Sequence, residues 1–190
     1  MSILRLFIIR LAGGILLSLA VTLAVAAPYT KVDRAASTIR FVSTQMNVPT
    51  TGHFGLFSAQ VRFDPANLAT DQAIISIAMK SADAGNVEAT GMLADQDWFD
   101  VAHWPEARFV SSSFRDLGGN RYQAVGTLTI KGRSMPVNVV FTATPVVGGI
   151  RLDGQLPLSR KAFGIGTGQW ADPSVVADKV DVVFHLLVQA

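Results

Sequence analysis

Cysteine is absent from the 190 residues, which excludes disulfides, thiol nucleophiles and thiolate metal sites together. Histidine is nearly absent too. The 3 histidines, His53, His103 and His185, never fall at a short metal-ligand spacing, so a zinc site would need them to converge through folding. No GxSxG elbow occurs, and Ser111, Ser112 and Ser113 sit together inside a strand-like run, where they read as strand surface. A hydrolase rests only on scattered Ser, His and Asp, His103 and Asp100 among them. The glycines Gly164, Gly166 and Gly168 lack the spacing of a phosphate loop and follow no strand-helix pattern, so they read as a flexible loop able to move over an opening. Asp95, Asp97 and Asp100 could pair for acid/base work or hold a cation, but capping of a short helix is the cheaper reading. The residues call for no catalytic group, metal or cofactor.

Charge is sparse and balanced. Residues 1–26 carry Arg5 and Arg10, an uncharged apolar run over 11–25, and the small residues Ala24-Val25-Ala26, the anatomy of a cleaved secretory signal. The competing reading is a retained anchor: the run is short for a span of ~20 residues, although counting from Ile3 and tolerating Arg10 would reach that length. Cleavage after Ala26 removes two of the 16 basic residues and none of the 14 acidic ones, so the remaining chain is 14 minus 14, formally neutral. The basic isoelectric point therefore carries no argument for nucleic acid. What remains is 190 minus 26, or 164 residues, the size of one domain with one core. A bacterial periplasm is the expected compartment.

From Tyr29 onward the apolar period is two, the mark of half-buried antiparallel strands. Phe57, Ala59, Val61 and Phe63 alternate with Ser58, Gln60 and Arg62. Ala73, Ile75, Ile77 and Met79 repeat the pattern. Residues 106–114, 121–130 and 180–188 continue it, with turns at Gly118-Gly119-Asn120, Lys131-Gly132 and Gly148-Gly149. About eight strands emerge, spaced as in an all-β barrel or sandwich. One stretch, residues 85–99, breaks the period and reads as one or two short helices, either capping a barrel mouth or packing as a surface connection.

Four ordered motifs carry a resemblance: GHFGLFSAQVRFD over residues 52–64, DWFDVAHWPEARFVSSSF over 97–114, GTLTIKGRSMPVNVVF over 126–141, and LSRKAFGIG over 158–166 with the closing VADKVDVVFHLLV. Together they resemble the YceI-like family of exported proteins, from Tyr29 to the C-terminus. That resemblance implies an all-β fold, an extended antiparallel lipocalin-like barrel with a short helical insert, in residues 27–190. It implies a binding protein for a long-chain isoprenoid or other amphiphilic lipid, and not an enzyme. Where relatives often carry an Arg-Asp pair and a His ahead of the insert's leucine, this chain has Ala89-Thr90-Gly91-Met92 before Leu93, which favours a neutral ligand end such as a quinone ring over a diphosphate.

The expected lining residues are Phe41, Phe57, Phe109, Leu128, Phe141 and Phe184 on the strands, with Trp98, Phe99, Phe163 and Trp170 near the ends. Ordinary core packing is the alternative for each, because an eight-stranded barrel can be filled or hold one ligand. A filled barrel would instead suit an interaction module, a partner of a membrane redox protein docking through residues 95–105. A homodimer is a further association compatible with either.

Overall fold

Ten strands and one short helix make up the computed structural model, which describes residues 27–190. The expected leader, residues 1–26, lies outside the described residues. In chain order the strands are β1 (Lys31–Gln45), β2 (Val48–Phe54), β3 (Phe57–Arg62), β4 (Gln72–Ala78), β5 (Ala82–Asp83), β6 (Glu106–Gly118), β7 (Arg121–Ile130), β8 (Arg133–Val146), β9 (Gly149–Ser159) and β10 (Lys179–Gln189), with helix α1 (Val87–Met92) after β5. They form one antiparallel sheet in the order β3-β4-β6-β7-β8-β9-β10-β1-β2-β5.

This is the lipocalin-like barrel that the family resemblance implied, with ten strands in place of the about eight that the patterning gave. The additional pair is β2 and β5. β2 (VPTTGHF) shows no apolar alternation because its inward positions are Thr50, Gly52 and Phe54, only the last of them large and apolar, and β5 is too short to show a period. Met79, expected to extend β4, instead begins a 3-10 turn whose N–H donates to the Pro105 carbonyl at 2.9 Å.

Closure is incomplete and asymmetric. The end of β3 meets the segment just ahead of β1 through a single bridge, in which Tyr29 N–H donates to Phe63 O at 2.9 Å and Phe63 N–H to Tyr29 O at 3.0 Å. β1 reaches both neighbours because it is bulged between Asp33 and Thr38. There the Asp33 carboxylate accepts from the N–H groups of Ala35 and Ala36 at 3.0 and 3.1 Å, satisfying backbone donors that the ladder has lost. Beyond the bulge, Arg40 to Gln45 pair with β2.

The two ends of the barrel are packed differently. At the end near Tyr29, the rings of Phe63, Tyr122 and Phe141 meet at centroid distances of 5.1 to 5.8 Å, and Phe114 packs edge-on against Phe141 at 6.4 Å. Val188 and Ile150 are fully buried in the same core. Rings at these separations leave no passage, so this end is closed. The opposite end is covered by the insert after β5 and by the 160–178 loop, not by side chains from the strands.

Candidate functional site: an apolar cavity under a latched loop

Inside the barrel lies a cavity of about 280 Å³, near the lower end of the range for small-molecule sites, ~300–1,000 Å³. Its floor is Phe63, Phe114 and Phe141. Its walls are carbon: Ile39, Val61, Ile75, Ile77, Leu128, Leu156, Val182 and Leu186 among others. Polar side chains enter the lining toward the other end, where Ser43 and Gln45 of β1, Thr50 and Thr51 of β2, and Asn86 of the insert stand beside Ala89, Met92, Trp170 and Val176. The opening is therefore framed by the β1–β2 hairpin, α1 and the 160–178 loop.

The hollow exists because three of the inward rings lie flat over glycines of the next strand. Phe41 pairs with Gly52, and Phe184 with Gly154, directly across the ladder; Phe109 lies diagonally across from Gly126. A Cβ built on any of these three glycines would come within 2.6 Å of a ring carbon. Each ring fills the place of a missing side chain and stays against the wall, leaving the centre free.

Nine of the ten expected lining residues surround this cavity: Phe41, Trp98, Phe99, Phe109, Leu128, Phe141, Phe163, Trp170 and Phe184. Phe57 does not. It belongs to the core but sits beside the β1 bulge, its ring covered on the outer side by the Arg34 guanidinium, 3.9 Å from the centroid. Alternation along β3 correctly put Phe57 on the inner face; position along the barrel, which alternation does not encode, removed it from the cavity.

The glycine loop read as a free flap is tied down. Gly166 and Thr167 donate their N–H groups to the Asp97 carbonyl at 2.7 and 2.9 Å, and the Thr167 hydroxyl donates to Asp97 Oδ1 at 2.7 Å. Lys131 Nζ bridges the insert and the loop, donating to the carbonyls of Gln96 (2.6 Å) and Gly164 (2.8 Å). Burial pushes the Lys131 ammonium down from its ordinary value, opposed by Asp100 and Asp97. Trp98 of the insert packs against Trp170 of the loop, centroids 5.6 Å apart. Asp97 thus latches the loop and does not cap a helix; the cap of α1 is Asn86, whose side chain accepts from Ala89 N–H at 2.8 Å.

Arg160, which the sequence marks only as a neighbour of Lys161, organises the rest of the loop. It is 3% exposed. Its Nε and both Nη atoms donate to five backbone carbonyls, those of Ala177, Ile165, Gly166, Trp170 and Val176, at 2.7 to 3.1 Å. Every guanidinium donor is used, none of them on a carboxylate. Burial lowers the Arg160 pKa, against the charge of nearby Asp178.

The histidines stay apart. His103 Nδ1 lies 2.7 Å from Asp100 on the surface, and His185 Nδ1 lies 2.5 Å from Asp153 on the outer wall. Among the described residues no three metal-ligating side chains converge, and no helix is long and apolar enough to cross a membrane.

An antiparallel barrel that is plugged at one end, capped at the other and lined with carbon defines a lipocalin-like binding fold. The chain belongs to the YceI-like domain family, whose model matches residues 30–188. It is similar to the crystal structure of BcnA from Burkholderia cenocepacia, with 46% identity and a TM-score of 0.81 over 83% of this chain and 99% of that one. It shares its fold with a polyisoprenoid binding domain from Saccharophagus degradans, at 19% identity and a TM-score of 0.67, covering 86% of this chain and 99% of that one. A UPF0312 protein of Vibrio cholerae is 27% identical over 120 residues, 60% of this chain and 64% of the relative's length. The chain thus spans somewhat under two thirds of that relative.

Proposed function

We propose that this protein is a periplasmic carrier that holds a long isoprenoid chain inside the barrel and performs no chemistry on it. The observation that carries the reading is the cavity: it reaches from the aromatic floor to the polar mouth, and the walls between them are carbon. Removing methylenes from water contributes ~0.8 kcal/mol each, so about ten suffice for roughly micromolar binding before entropic costs. The polyisoprenoid binding described for the Saccharophagus degradans domain supports the same ligand class on this fold.

The mouth favours a neutral terminal group. Arg160 is the one charged residue of the described lining, and its donors are all engaged by carbonyls. Of the insert residues that depart from the relatives' polar pattern, Ala89 and Met92 face the opening, while Thr90 turns away to accept from Ala84 N–H (3.0 Å) and donate to Asp83 (3.1 Å). An oxygen of a quinone or alcohol finds hydroxyl and amide partners here, from Thr50, Gln45 or Asn86. A diphosphate would lose its hydration without gaining a cation.

Extraction of the purified protein with organic solvent, followed by mass spectrometry, tests the reading. A co-purifying prenyl quinone or polyprenol is expected. Protein that is ligand-free and takes up no isoprenoid on titration would overturn it. Cell fractionation and N-terminal sequencing test export, with Ala27 as the expected first residue.

A further inference from the structure

Just outside the polar mouth of the cavity stand apolar side chains exposed to solvent. Met46 is 69% exposed at the tip of the β1–β2 hairpin, Val48 is 60% exposed on the same hairpin, and Val87 is 92% exposed at the start of α1. Each adjoins a residue of the cavity mouth: Met46 and Val48 flank Gln45, its neighbour and its pairing partner respectively, and Val87 follows Asn86. The hairpin tip also touches the loop that completes the mouth, through Met46 N–H donating to Val175 O at 2.9 Å. These side chains therefore stand around one opening.

Local structure does not account for them. Met46 and Asn47 both have positive φ, 47° and 63°, the two-residue turn in which Asn and Gly are favoured. An exposed methionine in the left-handed region adds backbone strain to exposed apolar surface, where a polar turn residue would be better on both counts.

We infer that this rim is a docking surface for a lipid bilayer, on which the protein settles mouth-down. The inference rests on the carrier reading for its purpose, since a long isoprenoid resides in membranes. Size decides the occupant. Three separate side chains cover far less than the ~800 Å² per partner that a stable protein interface or dimer needs, whereas a bilayer requires no complementary shape and accepts individual apolar side chains. The hairpin tip is uncharged, so attachment comes from insertion into the acyl boundary and not from attraction to anionic lipid. Leu56 and Trp104 are exposed at the same end of the barrel, but Leu117 and Val147 are exposed at the closed end, which supplies an internal control.

The test uses the exported form that begins at Ala27, so that residues 1–26 add no vesicle binding of their own, and two sets of substitutions. The rim set is Met46→Asn, Val48→Thr and Val87→Thr, each compatible with its local backbone. The control set is Leu117→Gln and Val147→Thr. Flotation with phosphatidylcholine vesicles free of isoprenoid reads docking; titration with a soluble short-chain isoprenoid quinone reads the cavity. The rim variant is expected to lose vesicle binding by about tenfold or more, to keep its quinone affinity, and to show the same loss when the vesicles contain phosphatidylglycerol. The control variant is expected to bind vesicles as the parent does. Undiminished binding by the rim variant, loss in the control variant, or binding by the parent only to anionic vesicles would each overturn the docking surface. Failure of the parent to bind quinone would instead overturn the carrier reading, because flotation is read without any isoprenoid present.

Discussion

Phe184 of β10 lies over Gly154 of β9, its direct partner in the ladder, so closely that a Cβ on the glycine would come within 2.6 Å of the Phe184 Cε1. The ring is held against the wall by the absence of a side chain beneath it. Substituting Gly154→Ala therefore has a consequence in the cavity and not merely in the strand. The ring is expected to swing inward, at an overpacking cost of roughly 1–3 kcal/mol, and isoprenoid affinity to fall by about an order of magnitude as the free space closes. Titration monitored by tryptophan fluorescence, with a melt alongside, checks this. Unchanged affinity in a folded Gly154→Ala protein would mean that the ring position does not shape the cavity.

Arg160 anchors the loop from within. Replacing it with methionine keeps much of its length but leaves the carbonyls of Ala177, Ile165, Gly166, Trp170 and Val176 without their donor. Unpaired buried polar groups of this kind cost about 1–3 kcal/mol each where water cannot reach them. Partial hydration should bring the total for Arg160→Met to about 3–5 kcal/mol. Urea unfolding reads it, and a loss below about 1 kcal/mol would contradict the assigned role.

Asp71, just ahead of β4, supplies a pH dependence with a definite sign. Burial, assisted by the charge of Asp64, pushes its carboxyl up to about 6, against the Asp64 N–H that it accepts and the nearby Arg62. Its Oδ2 is buried without a partner. The unfolded chain releases this proton near 3.8 and the folded one near 6. Between those values the folded state binds more protons, so this group's contribution falls as pH rises through that window and is constant above it. Asp71→Asn removes the titration: the variant should gain stability relative to the parent between pH 4 and pH 7. Thermal melts at the two pH values check it, and a difference that does not change with pH would refute it.

Ala89 tests the neutral mouth. It lines the opening on α1, and Ala89→Arg places there a cation whose donors are free. Prenyl diphosphate should then compete better against prenyl quinone than it does with the parent, and the gain should shrink at high ionic strength. A competition assay at low and high salt reads both. Equal competition by parent and variant would show that the polar end of the ligand lies elsewhere.

Much of this architecture was legible in the residues. Period two from Tyr29 onward, with glycine-rich turns such as Gly118-Gly119-Asn120, determines antiparallel strands and which side chains face inward. The reason is that side chains alternate strictly about the strand and only one face is buried. Phe41, Phe109, Phe141 and Phe184 were assigned to the interior on that basis alone. Alternation is blind, however, to height along the barrel, so it could not separate Phe57, packed beside the bulge, from Phe63 on the cavity floor. It was equally blind to β5, two residues long, and to β2, whose inward positions include a glycine.

What the tertiary structure alone decided was emptiness and attachment. Whether inward phenylalanines fill a barrel or line it depends on what stands opposite each ring in the neighbouring strand, a long-range pairing with no local signal. Phe184 and Gly154 are 30 residues apart in the chain and adjacent only through the ladder. The loop around Gly166 is flexible by composition yet latched by Asp97, Lys131 and Arg160, because hydrogen bonds to distant carbonyls override what glycine permits. Local period therefore determined the strands and their faces, whereas long-range register and packing decided the cavity and its cover.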